Sequence, residues 1–517
     1  MFEMEKSETL KLDKRAIAPA VLYGACFAFM ALWYLVKNEN LYGIITAVVA
    51  FAAGIYLFLS GWRKVLEFAK AHKFVTALVA IVGAYMLYMI LLQRDAAFFG
   101  IQIIKLRFLP IAFAGWSFAA MLGVSYAFEV GKNLAGEMGE WDKKAYIIAT
   151  IAISALLIIC YGTFEGWYLQ YDKVYSMDSG FVFNNIFPKP DYYDIRHPLY
   201  SVFSYPIYSL VYLVSSLFAP SSMLTKLIAI LLQLLNAQTI IITAFMLKKM
   251  TDDSKEVFYL YLLSYSVIMY TMLFEKYQLC VFMLVSFVYA SCKNGKNDGA
   301  AVAMATLMPT SVFAAVGYLF KKAPWKEKIL TAVRIVVEGC AFVICFGRVN
   351  IFFTGLTELN ETTGKFLGKE WVFTEKLISF SKMIVGIFLP LNSRGNEDNY
   401  RWRHFLSTFN WLFAVIMLLI VIGIIVSIRN DFTKFALIWL LFAYVLIVHI
   451  EWGTKESPLF AFYFAWAAVP MLKAGVDYIA GLFGIKASRL FVPIYSLMAV
   501  TAFLEMVQVN TYMHTLF

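Results

Sequence analysis

The chain has 517 residues, 61% of them hydrophobic and only 15% charged, against roughly a quarter charged in soluble proteins. Its mean hydropathy is +0.71, and apolar runs of about 18 residues or more recur along its length, which excludes a soluble globular protein. The net charge of +10 fits basic cytoplasmic loops facing anionic lipid better than a nucleic-acid partner.

In chain order, Met1 to Arg15 is polar and carries Lys6, Lys11, Lys14 and Arg15. The run that follows, from Ala16 to about Val36, is too long for the apolar region of a cleavable signal and reads as a signal anchor with a cytoplasmic N-terminus. Candidate spans are 16–36, 41–61, 74–92, 108–128, 145–163, 224–247, 257–274, 277–292, 329–347, 408–428, 433–450, 458–472 and 489–508. Two short apolar pieces, 299–309 and 311–320, meet at Pro309 and read as a broken hairpin. No backbone polar group can stay unpaired in lipid, so spans of this kind must be helices. The expected fold is all-α: a polytopic transmembrane bundle of about 13 to 15 membrane segments with external juxtamembrane helices.

Whether 199–218 crosses is decided by charge. If it spans, Lys248, Lys249, Lys255, Lys321, Lys322, Lys326 and Lys328 all lie outside. If it lies along the interface, they join Arg63, Lys64, Lys70, Lys73, Lys293, Lys296, Arg429 and Lys434 in the cytoplasm. The positive-inside rule favours an interfacial or re-entrant 199–218. That layout gathers the loop 164–199, Glu275 with Lys276, the stretch 351–407 and Glu451 to Ser457 on one external face. The chain then divides into an N-terminal bundle (1–144), a core with its external loop (145–350), an external loop or lid (351–407) and C-terminal helices (408–517). No soluble domain, internal repeat or low-complexity tract is evident.

The loop 164–199 concentrates the chemistry. Asp178 lies just past a helix end, where a carboxylate can take a proton from an acceptor hydroxyl; equally, it caps a short helix beginning at Ser179. Glu165, Asp172, Asp191 and Asp194 offer hard oxygen ligands for magnesium or manganese, or simply solvate the loop and cap its turns. Asn184 and Asn185 suit sugar hydroxyls or a turn before Pro188 and Pro190. In Arg196-His197-Pro198 the guanidinium matches phosphate oxygens or lipid headgroups, and Pro198 signals a helix start. Glu275-Lys276 interrupts two apolar runs; it is either a snorkelling anchor or functional. Lys455 and Glu456, followed by Phe460 and Tyr463, make a second charged cluster, and Arg394, Arg401, Arg403 and His404 a third, fit for a phosphate. The six cysteines lie in or beside apolar segments without metal-ligand spacing, as small packing residues.

These motifs resemble the GT-C superfamily of membrane glycosyltransferases, near its protein mannosyltransferase and aminoarabinose transferase branch. Asp178 precedes His197-Pro198-Leu199 by 19 residues, as the family's catalytic Asp precedes a His-Pro-Leu motif that opens a juxtamembrane helix. Phe274-Glu275-Lys276-Tyr277 resembles its external Glu-x-Tyr, Leu307-Met-Pro-Thr310 its split helix, and Gly453-Thr-Lys455-Glu456 with Phe460 and Tyr463 a late motif near the donor. The likeness covers about 145–475. It departs from the pattern at Arg196, which directly precedes His197, and in the four spans before 128. It implies an inverting transfer of a sugar from a polyprenyl-phosphate donor to a glycan, lipid or protein acceptor, in a bacterial plasma membrane. Asp178 would act as base. Arg196, Lys276, Lys455, Arg394, Arg401 and Arg403 would face the donor phosphate, and Glu165, Asp172, Asn184, Asn185, Asp194, His197, Glu275, Glu456 and Tyr463 the substrates. No nucleic acid or nucleotide site is expected. A polymerase or ligase of lipid-linked glycans is the main rival; a flippase, with midplane charges and inverted repeats, and a non-catalytic scaffold fit less well.

Overall fold

The computed structural model describes residues 14–37, 42–93, 109–163, 179–187, 197–293, 309–345, 372–390, 410–452 and 460–516. Every regular element among them is helical and no β-strand forms. The longer helices are α1 (Lys14–Lys37), α2 (Tyr42–Ala71), α3 (Lys73–Gln93), α4 (Leu109–Glu137), α5 (Glu140–Thr163), α6 (Tyr200–Phe218), α7 (Leu224–Met250), α8 (Lys255–Leu263), α9 (Tyr265–Met272), α10 (Tyr277–Cys292), α11 (Trp325–Cys345), α12 (Phe373–Gly386), α13 (Asn410–Ser427), α14 (Asp431–Tyr444), α15 (Ala461–Leu482) and α16 (Ala487–Leu516). By length and composition, four helical stretches among the described residues can cross a membrane: Ala47–Ala71, Leu224–Met250, Asp431–His449 and Ala487–Val507.

The core is built on helices that are apolar all round, the pattern of a helix without a solvent face. In α15 every residue from Ala461 to Leu472 is buried, and the indole N–H of Trp439 in α14 donates to the Tyr463 carbonyl at 2.8 Å. Two helix pairs close on glycine. A Cβ built on Gly423 of α13 would stand 1.8 Å from the Met471 carbonyl oxygen, and one on Gly475 of α15 would stand 1.9 Å from that of Leu419. Between α1 and α2, a Cβ on Gly54 would lie 2.8 Å from Gly24 Cα. Small residues admit such backbone contact, the device membrane helices use to associate.

Helices α5 and α7 run antiparallel. Near the start of α5, Asp142 pairs with Lys248 and Lys249 at the end of α7, both at 2.9 Å, and one turn on Tyr146 donates to Gln238 at 2.6 Å. The N-terminal bundle joins this core through α2 against α11 and α3 against α6, with Tyr56 donating to Glu338 at 3.4 Å.

Several sequence expectations change in detail. The run 257–274 is two helices, because Ser264 takes an extended ψ of 131°. Its neighbour Ser266 donates from its backbone N–H to the Ile387 carbonyl at 3.2 Å, so the break stays hydrogen-bonded inside protein, where non-helical backbone at membrane depth is tolerated. The acceptor lies just beyond α12: within the stretch expected as an external loop or lid, residues 373–386 are helical and Met383 to Leu389 are buried. Pro309 opens a 3₁₀ turn, followed by Val312–Ala315 and a second 3₁₀ turn at Val316–Phe320. The short helix expected at Ser179 does begin there and widens into a π turn over Val182–Ile186.

Candidate functional site

A concentration of buried polar groups lies at the break between α9 and α10. Leu273 leaves the helix with ψ 134°, freeing carbonyls that two buried amides collect. Gln233 of α7 donates through Nε2 to the carbonyls of Tyr270 (3.2 Å), Thr271 (2.6 Å) and Leu273 (3.0 Å). Gln278 of α10 donates to those of Tyr270 and Leu273, both at 2.8 Å. The junction held this way presents Glu275 and Lys276, each only 3% exposed. Side chains of this type are almost never so buried without partners. The Lys276 amide donates to Glu275 Oε2 at 3.4 Å, and its ammonium stands 5.9 Å from the Tyr277 ring.

Against this junction sits the turn that opens α6. The Tyr200 N–H bonds back to the His197 carbonyl at 3.1 Å, so Pro198 and Leu199 form a tight lead into the helix. His197 is 6% exposed, with Nδ1 3.7 Å from Cys280 Sγ and its ring 5.7 Å from that of Tyr277. Tyr277 packs on Tyr463 of α15 at 4.6 Å, and Tyr270 stacks on Phe462 at 4.5 Å. The Ser179–Phe187 segment closes a third side: Phe183 and Phe187 lie 5.4 and 4.7 Å from Phe274. Phe187 also packs on Tyr200 at 5.6 Å, which sets Tyr200 beside the same junction.

His197, Glu275, Lys276 and Tyr463, which belong to three separate stretches of sequence, are thus brought to one buried place. Asn184 is not turned to it: its side chain is exposed and donates to the Gly180 carbonyl at 2.8 Å, a bond within its own helical turn. Asn185 beside it is half-buried. Glu165, Asp172, Asp178, Asp194, Arg196, Arg394, Arg401, Arg403, Lys455 and Glu456 lie outside the described residues. So do the carboxylates weighed for a divalent cation. Among the described residues, no group of three or more His, Cys, Asp or Glu is placed to hold a metal ion.

Two features of this region escaped sequence reasoning. Gln233 and Gln278 are amides inside apolar runs, and that mismatch was the available signal. Tyr200, which directly follows the His197-Pro198-Leu199 motif, was given no role, yet it is 1% exposed and lies at the junction. A second charged contact joins α12 to the late cluster: Lys376 pairs with Glu451, which sits at φ 61° just after the π turn Val445–His449.

The other end of α7, fifteen residues or about 22 Å from Gln233, carries a different cluster. Lys248 and Lys249 bridge Asp142 and Asp253, at 2.5 to 2.9 Å. Trp141 lies under Lys248 and Lys255, whose ammoniums are 5.2 and 4.9 Å from its ring. Burial pushes the Asp142 carboxyl up, but hydrogen bonds from Lys249, Lys248 and the Gly139 N–H outweigh it and hold the group below the usual carboxylate range. Every charge in this cluster has a partner, which marks it as a clamp between helices. No family model matches the chain, and neither curated proteins nor solved structures give a match.

Proposed function

We propose that this protein is an inverting membrane glycosyltransferase of GT-C type, which moves a sugar from polyprenyl phosphate to an acceptor hydroxyl at the external face of a bacterial plasma membrane. The observation that carries the reading is the burial of His197, Glu275, Lys276 and Tyr463 together, drawn from three different motifs of the resemblance. Buried charged groups that converge from distant stretches mark a candidate place for a ligand.

The pairing of α5 with α7 supports the topology. If α5 spans as the sequence leads one to expect, alongside α7, antiparallel neighbours place the end of α5 and the start of α7 on one face, and crossings by 164–223 come in pairs. A helix α6 at the interface, with His197 at its buried start, fits that parity.

In the proposed reaction Asp178 takes the acceptor's O–H proton as the acceptor oxygen bonds to the anomeric carbon. The anomeric carbon–phosphate oxygen bond breaks from the opposite side and polyprenyl phosphate leaves. Positive charge on the ring grows as the bond breaks, as in other glycosyl chemistry. Lys276, with Arg196, Lys455 and the Arg394, Arg401 and Arg403 group, offsets the charge gathering on the departing phosphate, the main electrostatic demand of the step.

The test is release of polyprenyl phosphate from a panel of polyprenyl-phosphate sugars by purified protein, wild type beside Asp178→Asn and Glu275→Gln. Turnover of one donor that falls by at least ~10²-fold in Asp178→Asn supports the reading. No turnover of any donor with envelope lipids as acceptors overturns it, and Asp178→Asn retaining more than about a tenth of the rate removes Asp178 as the base.

A further inference from the structure

Three buried polar atoms at the α9–α10 junction lack a hydrogen-bond partner among the described residues: the Tyr200 hydroxyl, Gln278 Oε1 and, one turn before Phe183, Ser179 Oγ. A buried tyrosine hydroxyl ordinarily finds a partner, because leaving one unpaired is unfavourable. Tyr200 stands apart from unpaired groups elsewhere, such as the Tyr261 hydroxyl in α8, because it packs on Phe187, which in turn packs on Phe274, the residue next to Glu275. Its ring is also fixed: Phe187 packs on it at 5.6 Å and His197 at 6.5 Å. The aromatic faces of Tyr277 and Tyr463 belong to the same assembly.

We infer that the Tyr200 hydroxyl is a sugar-binding group, which forms with the Glu275 carboxylate a donor–acceptor pair for a ring hydroxyl of the transferred sugar. A phenol both donates and accepts, and a carboxylate accepts only, so the two together match a neutral hydroxyl. A phosphate is disfavoured at the same spot, since the Glu275 charge repels it. This inference rests on the transferase reading and extends it to a residue that no motif singled out.

The probes are polyprenyl-phosphate mannose and polyprenyl-phosphate glucose, with polyprenyl phosphate alone as the sugarless control, bound to purified full-length wild type, Tyr200→Phe and Tyr261→Phe. Wild type is expected to hold one sugar-bearing lipid more tightly than the sugarless one. Tyr200→Phe should weaken that lipid by roughly fivefold to tenfold, the worth of one hydrogen bond. It should leave the sugarless lipid unchanged and melt no lower than wild type, because no protein partner is lost. Tyr261→Phe should change nothing. Equal binding of the sugar-bearing lipid by Tyr200→Phe and wild type overturns the inference alone, as does an equal loss for the sugarless lipid or a lowered melting temperature. Wild type that binds no probe, or does not distinguish sugar-bearing from sugarless lipid, overturns both the inference and the transferase reading.

Discussion

Adding one methyl group at Gly475 should disrupt the α13–α15 pair. In Gly475→Ala the new Cβ would stand 1.9 Å from the Leu419 carbonyl oxygen and 2.7 Å from its carbon. Ordinary contact needs about 3.4 Å, so the two helices must part by roughly 1.5 Å. The obstructing atoms are backbone, which cannot rotate away as a side chain would. A gap of that size forfeits much of the dispersion energy along the interface, and overpacking of this kind costs about 1–3 kcal/mol, here near the upper end. Gly481 lies six residues later on the same helix and has nothing within 4 Å of its built Cβ. Replacing that glycine by alanine removes backbone entropy from the unfolded chain without a clash, and should stabilise by about 0.5–1 kcal/mol. The pair is read by thermal melts in detergent followed by tryptophan fluorescence, with Trp439 and Trp466 buried beside the interface. Gly475→Ala should melt several degrees below wild type and Gly481→Ala at or above it. Shifts of the same sign and size in both variants would refute the reasoning.

Other expectations follow from the same geometry. Gln233→Ala leaves the Tyr270, Thr271 and Leu273 carbonyls short of their donor and should destabilise by about 1–3 kcal/mol in the same melts, and Gln233→Glu by at least as much, because a buried carboxylate only accepts and would face three carbonyl oxygens. Asp142 is held below its ordinary range in the folded state, so its contribution to stability is full above about pH 4, the unfolded value, and is lost as pH falls through the lower folded one. Asp142→Asn should therefore lower stability at neutral pH and flatten its decline below pH 4, measured by melts across pH; an unchanged acid slope would contradict the clamp. For topology, exposed Ser221→Cys should react with an impermeant maleimide from outside cells and exposed Lys322→Cys only after permeabilisation. Labelling of Lys322→Cys from outside would sink the interfacial placement of α6.

The membrane character and helical class were legible from composition and run length alone, since uninterrupted apolar runs of about 18 residues or more pair their backbone in lipid as helices. Legible too were particular local signals: the short helix at Ser179, and the Glu275-Lys276 junction as a place where charge interrupts apolar sequence. What could not be read were facts about neighbours. Nothing local to 257–274 shows that Ser264 ends a helix, because the donor freed there is satisfied by Ile387, more than a hundred residues away. Nor does the sequence around Asn184 show that its amide is taken by the Gly180 carbonyl and faces away from the junction. Gln233 and Gln278 stood out only as polar residues in apolar surroundings; their shared acceptors at Tyr270 and Leu273 emerged from the packing of α7 against α10.

By itself, then, the sequence determined that the chain is helical, lipid-compatible and polar at a few interruptions, because hydropathy and backbone pairing act over a single turn or span. Only the tertiary structure decided which interruptions meet: that His197, Glu275, Lys276 and Tyr463 share one buried site while Asp142 and Lys248 clamp the other end of α7. Burial of a charge is a property of every element packed around it, and those elements are scattered along the chain.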